Sequence, residues 1–240
     1  MQMDKVELEN NVFLSCEQYL RTLYGDFDRI DEQTDRPDAA IRLRQGREED
    51  SVAIGIEITC VDKQTDLQYF NDEKFSRQIL QKQIEDCIDG KIPHQPMKKS
   101  SIPMEKEYLY EAIENKRDKY ESYKAAGVFD ELIILVFSDF IDIDDKVFRN
   151  YLMPWADYLL SNSTFPFDKV IFVDISKSKC VTLYDVNNPR LKSPQIDKNL
   201  EQGFTHIQSG YIPVGKTINL YDIFKQEPLV NKKAKKRKKK

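Results

Sequence analysis

VAIGIEITCV, residues 52–61, is the stretch around which the chain is organised. Val52, Ile54, Ile56 and Ile58 alternate with Ala53, Gly55, Glu57 and Thr59. A period of two in β-branched residues predicts a strand. The isoleucines are expected to face the core. The opposite side carries Gly55, Glu57 and Thr59 and is apolar at Ala53. A carboxylate in the middle of such a strand costs several kcal/mol if it is buried without a partner. Glu57 therefore calls for a solvated face, an arginine such as Arg42 or Arg44, or a metal ion.

The 240 residues suffice for one large domain, drawn over residues 1–225 with a core at about 10–185, and a basic tail over 226–240. No apolar run approaches the ~18 residues that span a bilayer. The opening MQMDKVELENN is acidic and polar, unlike a signal peptide. A cytoplasmic protein without membrane contact is expected. Cys16, Cys60, Cys87 and Cys180 lie far apart with no CxxC spacing, which predicts reduced thiols rather than a zinc site. The two histidines, His94 and His206, are too few for sites that need several imidazoles. Any hydrolytic chemistry is expected to rest on carboxylates and lysines.

Charge is unevenly placed. The net charge is −4, yet the last nine residues, KKAKKRKKK, hold eight positive charges. Residues 1–231 keep 29 basic against 41 acidic residues, a net −12. Lys232, Lys233, Lys235, Lys236, Arg237, Lys238, Lys239 and Lys240 are expected to be disordered alone and to bind nucleic acid through its phosphates.

Taken in order, residues 12–24 predict a helix. Its apolar stripe is Val12, Cys16, Tyr19 and Leu23, Glu17 lies at the edge, and Gly25 stops it. A polar run leads to Pro37-Asp38, where Pro37 is expected to push Arg36 into extended geometry. Residues 39–43 read as a strand, 45–50 as a turn, and the strand at 52–61 closes a hairpin. Residues 61–72 read as a loop. Residues 73–89 read as an amphipathic helix capped by Gly90, and 91–103 as a proline-containing linker. Residues 104–126 predict one long helix with the stripe Leu109, Ile113, Lys116, Tyr120, Tyr123. Lys116 interrupts this stripe, so it either snorkels outward or points into an anionic site. ELIILVF, residues 131–137, reads as a strand buried on both faces. A helix over 146–160 is kinked or split by Pro154. Residues 170–174 and 180–184 read as a strand and its hairpin partner. The pattern weakens beyond Asn187. GYIPVGKT contains GKT but lacks the upstream glycine of a phosphate-binding loop.

The order helix with Glu17, strand with Pro37-Asp38, strand with Glu57-Ile58-Thr59, helices, buried strand resembles the PD-(D/E)XK nuclease superfamily over about residues 10–185. The resemblance implies an α/β, restriction-endonuclease-like central mixed sheet flanked by helices. It implies Mg2+ or Mn2+ on Asp38 and Glu57, with Glu17 assisting. The family pattern expects lysine where this chain has Thr59, which cannot supply a positive charge. A lysine from a neighbouring helix then takes that role, Lys116 first, with Lys82 and Lys119 behind it. The implied activity is a metal-dependent phosphodiesterase acting on nucleic acid, DNA ahead of RNA, as in phage defence, restriction or repair. Thr59 and the acidic body favour an alternative, a catalytically degenerate module that binds nucleic acid or a protein partner. A third reading is an assembly subunit with an incidental acidic strand. A homodimer is left open.

Overall fold

The structure, a computed structural model, describes residues 4–30, 36–44, 52–91, 98–125, 127–195, 203–208, 217 and 219–232, without the side chains of residues 73–76 and 78. In chain order the elements are α1 (Lys5–Tyr24), β1 (Phe27–Arg29), β2 (Ala39–Leu43), β3 (Ala53–Cys60), α2 (Gln64–Asn71), α3 (Glu73–Ile88), β4 (Lys98–Pro103), α4 (Tyr108–Glu114), α5 (Arg117–Ala125) and β5 (Glu131–Phe137). A π-helical turn (Phe148–Leu152), α6 (Met153–Asn162), β6 (Lys169–Asp174), β7 (Lys179–Asp185), β8 (Gly203–Gln208) and α7 (Leu220–Lys225) follow. The chain divides into two compact units, Met1–Asp62 with Met104–Gln202 and Lys63–Pro103 with Gly203–Lys240. This is a finer division than the one domain drawn over residues 1–225.

The first unit is α/β, with a six-stranded mixed sheet in the order β1-β2-β3-β5-β6-β7 flanked by helices. This is compatible with the restriction-endonuclease-like class. β1, β2 and β3 form an antiparallel meander; β3, β5 and β6 run parallel; β7 returns antiparallel. The alternation at residues 52–61 sorts the two faces. Ile54, Ile56 and Ile58 pack with Ile133, Leu135, Ile171 and Val173 under Val12, Phe13, Cys16 and Leu20 of α1. The intervening residues of β3 turn to the other face, and this face is buried as well: the strand is covered from Ala53 to Ile58. Glu57 is therefore not on a solvated face.

Gly55 is needed by that second face. A Cβ there would lie 2.7 Å from Leu132 Cδ2, 3.0 Å from Pro37 Cγ and 3.1 Å from Phe129 Cγ. The proline and phenylalanine atoms belong to rigid rings and yield little. Gly55→Ala is expected to destabilise the fold by about 1–3 kcal/mol, as overpacking of a core does. It should also displace Pro37 and the adjoining Asp38. A chemical-denaturation midpoint unchanged from wild type would show that the strand accepts the methyl group.

Four sequence expectations change. Arg36 is not extended: its φ is 62° and the Arg36–Pro37 peptide is cis. Residues 61–72 are not a loop, because Asp66, Tyr69 and Phe70 give α2 a buried face. The segment 91–103 is not all linker, since β4 pairs antiparallel with β8. The helix over 104–126 is two helices. Lys116 N bonds Ile113 O at 2.9 Å and Lys119 N bonds Lys116 O at 3.0 Å, so the chain tightens to i→i−3 turns at the joint. The helix does not stop at Pro154: the π-helical turn Phe148–Leu152 runs directly into α6, and the proline stands in the first turn of α6, so the expected split is a change of winding.

The second unit holds α2, α3, the β4–β8 pair and α7. Lys98 is fully buried in it. Its ammonium donates to the carbonyls of Phe70 (2.8 Å) and Asp72 (3.0 Å) at the C-terminal end of α2, where a cation meets the negative end of the helix dipole. Residues 226–232, assigned from the sequence to a disordered tail, are held here. Val230 bridges to Lys98, Tyr69 donates its hydroxyl to the Val230 carbonyl, and Lys232 pairs with buried Asp66. The turn at 45–50, His94 and residues 233–240 lie outside the described residues. Among the described residues no helix is long and apolar enough to cross a membrane.

Candidate functional site

β2 and β3 pair with Ala39 opposite Ile56 and Ala40 opposite Gly55. One step further along that register, Asp38 faces Glu57. Residues directly opposite in an antiparallel pair share a sheet face. Asp38 Oδ2 also accepts the Ile58 N–H at 2.7 Å, which pins it to the strand. The two carboxylates therefore stand together, on the face away from the α1 cluster.

Glu57 is 1% exposed and has three side-chain donors. Oε1 accepts from Lys116 Nζ at 2.9 Å and from Lys119 Nζ at 2.5 Å; Oε2 accepts from the Tyr123 hydroxyl at 2.6 Å. Arg42 and Arg44 are not its partners: Arg42 is exposed and Arg44 forks onto Asp28. Lys116, Lys119 and Tyr123 come from one helical stripe, at spacings of three and four. The joint between α4 and α5 puts Lys116 at its head.

The two carboxylates respond oppositely to this setting. Burial pushes the Glu57 carboxyl up, but the bonds from Lys119, Tyr123 and Lys116 outweigh it and hold it below its ordinary value. Burial pushes Asp38 up, the Ile58 N–H pulls it back, and repulsion from Glu57 and Glu9 leaves it above its ordinary value. α1 adds two more charges. Lys5 and Glu9 form an i,i+4 pair at 3.1 Å. Lys5 is raised first by Glu9 and more weakly by Asp38 and Glu57.

The sequence-predicted residues divide. Asp38, Glu57 and Lys116 come together. Thr59 is half-buried on the strand face of Glu57, with Oγ1 3.5 Å from the Cys60 carbonyl. Glu17 instead takes two bonds from Arg21, at 2.7 and 3.2 Å. The α1 carboxylate that acts on Asp38 is Glu9, about two turns earlier. Lys82 is exposed on α3 in the other unit. Lys119, ranked behind Lys116, binds the same oxygen. Tyr123, read as core, is a direct ligand of Glu57, and the 116–119–123 spacing was the signal for both.

Among the described residues no group of three or more histidine, cysteine, aspartate or glutamate side chains is arranged to hold a metal. Mg2+ needs less, since one or two carboxylates with waters and phosphate oxygens suffice. The hard oxygens of Asp38 and Glu57 fit that requirement, provided an ammonium on Oε1 gives way. Family models, curated proteins and solved structures contain no match to this chain.

Asp38 is thus unfavourable to folding at neutral pH. Its folded pKa lies above its unfolded one, so ionising it costs more in the folded state; the penalty is full at neutral pH and vanishes below the unfolded pKa. Asp38→Asn keeps an oxygen for the Ile58 N–H and removes the charge. It is expected to raise the melting temperature at pH 7 by roughly 2–4 °C, about 1 kcal/mol in a chain this size. The gain should fade as pH falls toward the ordinary aspartate range. A lower melting temperature at pH 7 would mean that the Asp38 charge is stabilised.

Proposed function

We propose that this chain is a metal-dependent phosphodiester hydrolase acting on nucleic acid, DNA ahead of RNA, of the kind used in phage defence, restriction or repair. One observation carries the reading: two carboxylates face each other across adjacent strands, and two ammonium groups sit on one of them. A charge-balanced set of this kind suits a phosphate and a divalent cation better than a neutral substrate. Bound Mg2+ or Mn2+ would polarise the phosphoryl group and lower the pKa of a coordinated water. Asp38 and Glu57 would hold the ion. Tyr123 keeps Glu57 oriented through Oε2. Lys116 and Lys119, once drawn off Oε1, bring positive charge to the phosphate oxygens or to the attacking water, the role that Thr59 cannot fill.

The decisive experiment is cleavage of end-labelled DNA and RNA by the full chain with Mg2+ or Mn2+, beside calorimetric titration of each metal. Metal-dependent cleavage lost in Asp38→Ala and Glu57→Ala supports the reading; metal binding without cleavage removes it. The degenerate module is a second reading, supported by the internal donors that already bind both Glu57 oxygens. It predicts nucleic-acid binding with neither metal uptake nor cleavage.

The basic end has a separate readout. Removing residues 233–240 takes away seven of the eight tail charges. It should weaken DNA binding and flatten the dependence of log affinity on log salt, with folding intact. An unchanged salt slope would remove the tail from the nucleic-acid interface.

A further inference from the structure

The search outside the carboxylate site leads to two cysteines. Cys16 on α1 is fully buried; Cys180 on β7 is half-buried, and both belong to the apolar cluster between that helix and the sheet. Cys180 Sγ lies 3.7 Å from the carbonyl of Ser15, the residue before Cys16. Cys16 is the next residue of α1, and its buried side chain enters the same cluster as Cys180. A second contact repeats the pairing one step along. The Tyr19 hydroxyl meets Thr182 Oγ1 at 3.0 Å and accepts the Thr182 N–H at 3.1 Å. Three residues of helix rise about 4.5 Å and two of strand about 6.6 Å, so Cys16–Cys180 and Tyr19–Thr182 are neighbouring rungs between the same two elements.

We infer that Cys16 and Cys180 form a modification site: an intrachain disulfide made by reaction with a low-molecular-weight disulfide such as oxidised glutathione. Cys180 is the attacking thiol. It is the more exposed of the two, and the Cys16 thiol beside it holds it below the ordinary thiol range. Its thiolate attacks one sulfur of glutathione disulfide. That S–S bond breaks, and a glutathione thiolate leaves and takes a proton from water. Cys16 then gives its proton to water and attacks the Cys180 sulfur, expelling the second glutathione. Two protein thiols are oxidised and one glutathione disulfide is reduced to two glutathiones. Cys60 is engaged elsewhere: its Sγ donates to Asp62 Oδ2 at 3.6 Å. The product ties α1, whose first turns carry Lys5 and Glu9, to β7.

The test is to incubate the reduced full chain with graded ratios of oxidised to reduced glutathione and map its thiols by mass spectrometry. The expected product is lighter by two hydrogens, carries Cys16 linked to Cys180, melts about 5 °C or more higher, and reverts with dithiothreitol. Cys16→Ala should stop at a glutathione adduct on Cys180. Four alkylatable thiols after oxidation, a lasting adduct on the wild-type chain, or a link to Cys60 or Cys87 would each overturn the assignment.

Discussion

Lys116→Met is expected to slow phosphodiester cleavage by roughly 10²–10⁴-fold, the range for a positioned proton-transfer or charge-stabilising group. Methionine keeps much of the stem and deletes the ammonium. The fold should survive, because Lys116 is 22% exposed and the lost bond is one of three on Glu57. Lys119 shares the same oxygen and is 44% exposed. It is therefore a second member of the site and no control, and Lys119→Met should also lose activity. The double variant should fall further than either. Lys82→Met, in the other compact unit, is the control that should cleave normally. Single-turnover rates with Mg2+, beside thermal melts, separate chemistry from folding. Wild-type rates in both single variants would move the attacking-water role to a group outside α4 and α5.

Glu57→Ala is expected to abolish cleavage and also to destabilise the chain. Breaking a buried ion pair costs about 3–5 kcal/mol when the stranded charge stays buried. Here the two ammonium groups retain access to water and can turn to it. What remains is a space on the sheet and the loss of the Tyr123 hydrogen bond to Oε2, about 1–3 kcal/mol. Linkage gives the sign with pH. Glu57 has a depressed folded pKa, so its contribution is present above the ordinary glutamate range and is lost as pH falls through the folded value. The deficit of Glu57→Ala should thus be largest near neutral pH and shrink in acid. Asp38→Asn is expected to show the reverse change in melting temperature with the same loss of cleavage. A pair of melts that moved in one direction would mean that the two carboxylates do not differ in their electrostatic setting.

The sheet was legible because its strands carry strong local patterns. Alternation placed β3 to within a residue at each end, and the unbroken apolar run of β5 gave its limits and its burial on both faces. What escaped was set by partners distant in sequence. β4 is polar and proline-flanked, and it becomes a strand because β8 pairs with it. β1 is three residues in a charged run, held by β2. In the site, Pro37-Asp38 and Glu57 could be read because each belongs to a strand. Which helix residue met them could not, since periodicity places Lys116, Lys119 and Tyr123 on one stripe and only packing decides what the stripe touches. Glu9, which no pattern in the sequence singles out, is hidden for the same reason: position along a helix axis leaves no trace in its period.

The pairing of β4 with β8 has a consequence for how the chain is made. Pro103 waits for Gly203 and Lys98 for Gln208, partners 100 and 110 residues downstream. At ordinary rates of synthesis that interval is about 5–20 s. The β1–β2–β3 meander needs no such delay, so on the ribosome the first unit starts to assemble while β4 still offers an unpaired edge. Chains released before Gly203 would expose that edge permanently. Truncated translation products are therefore expected to offer chaperones an open β4 edge that the finished chain pairs with β8.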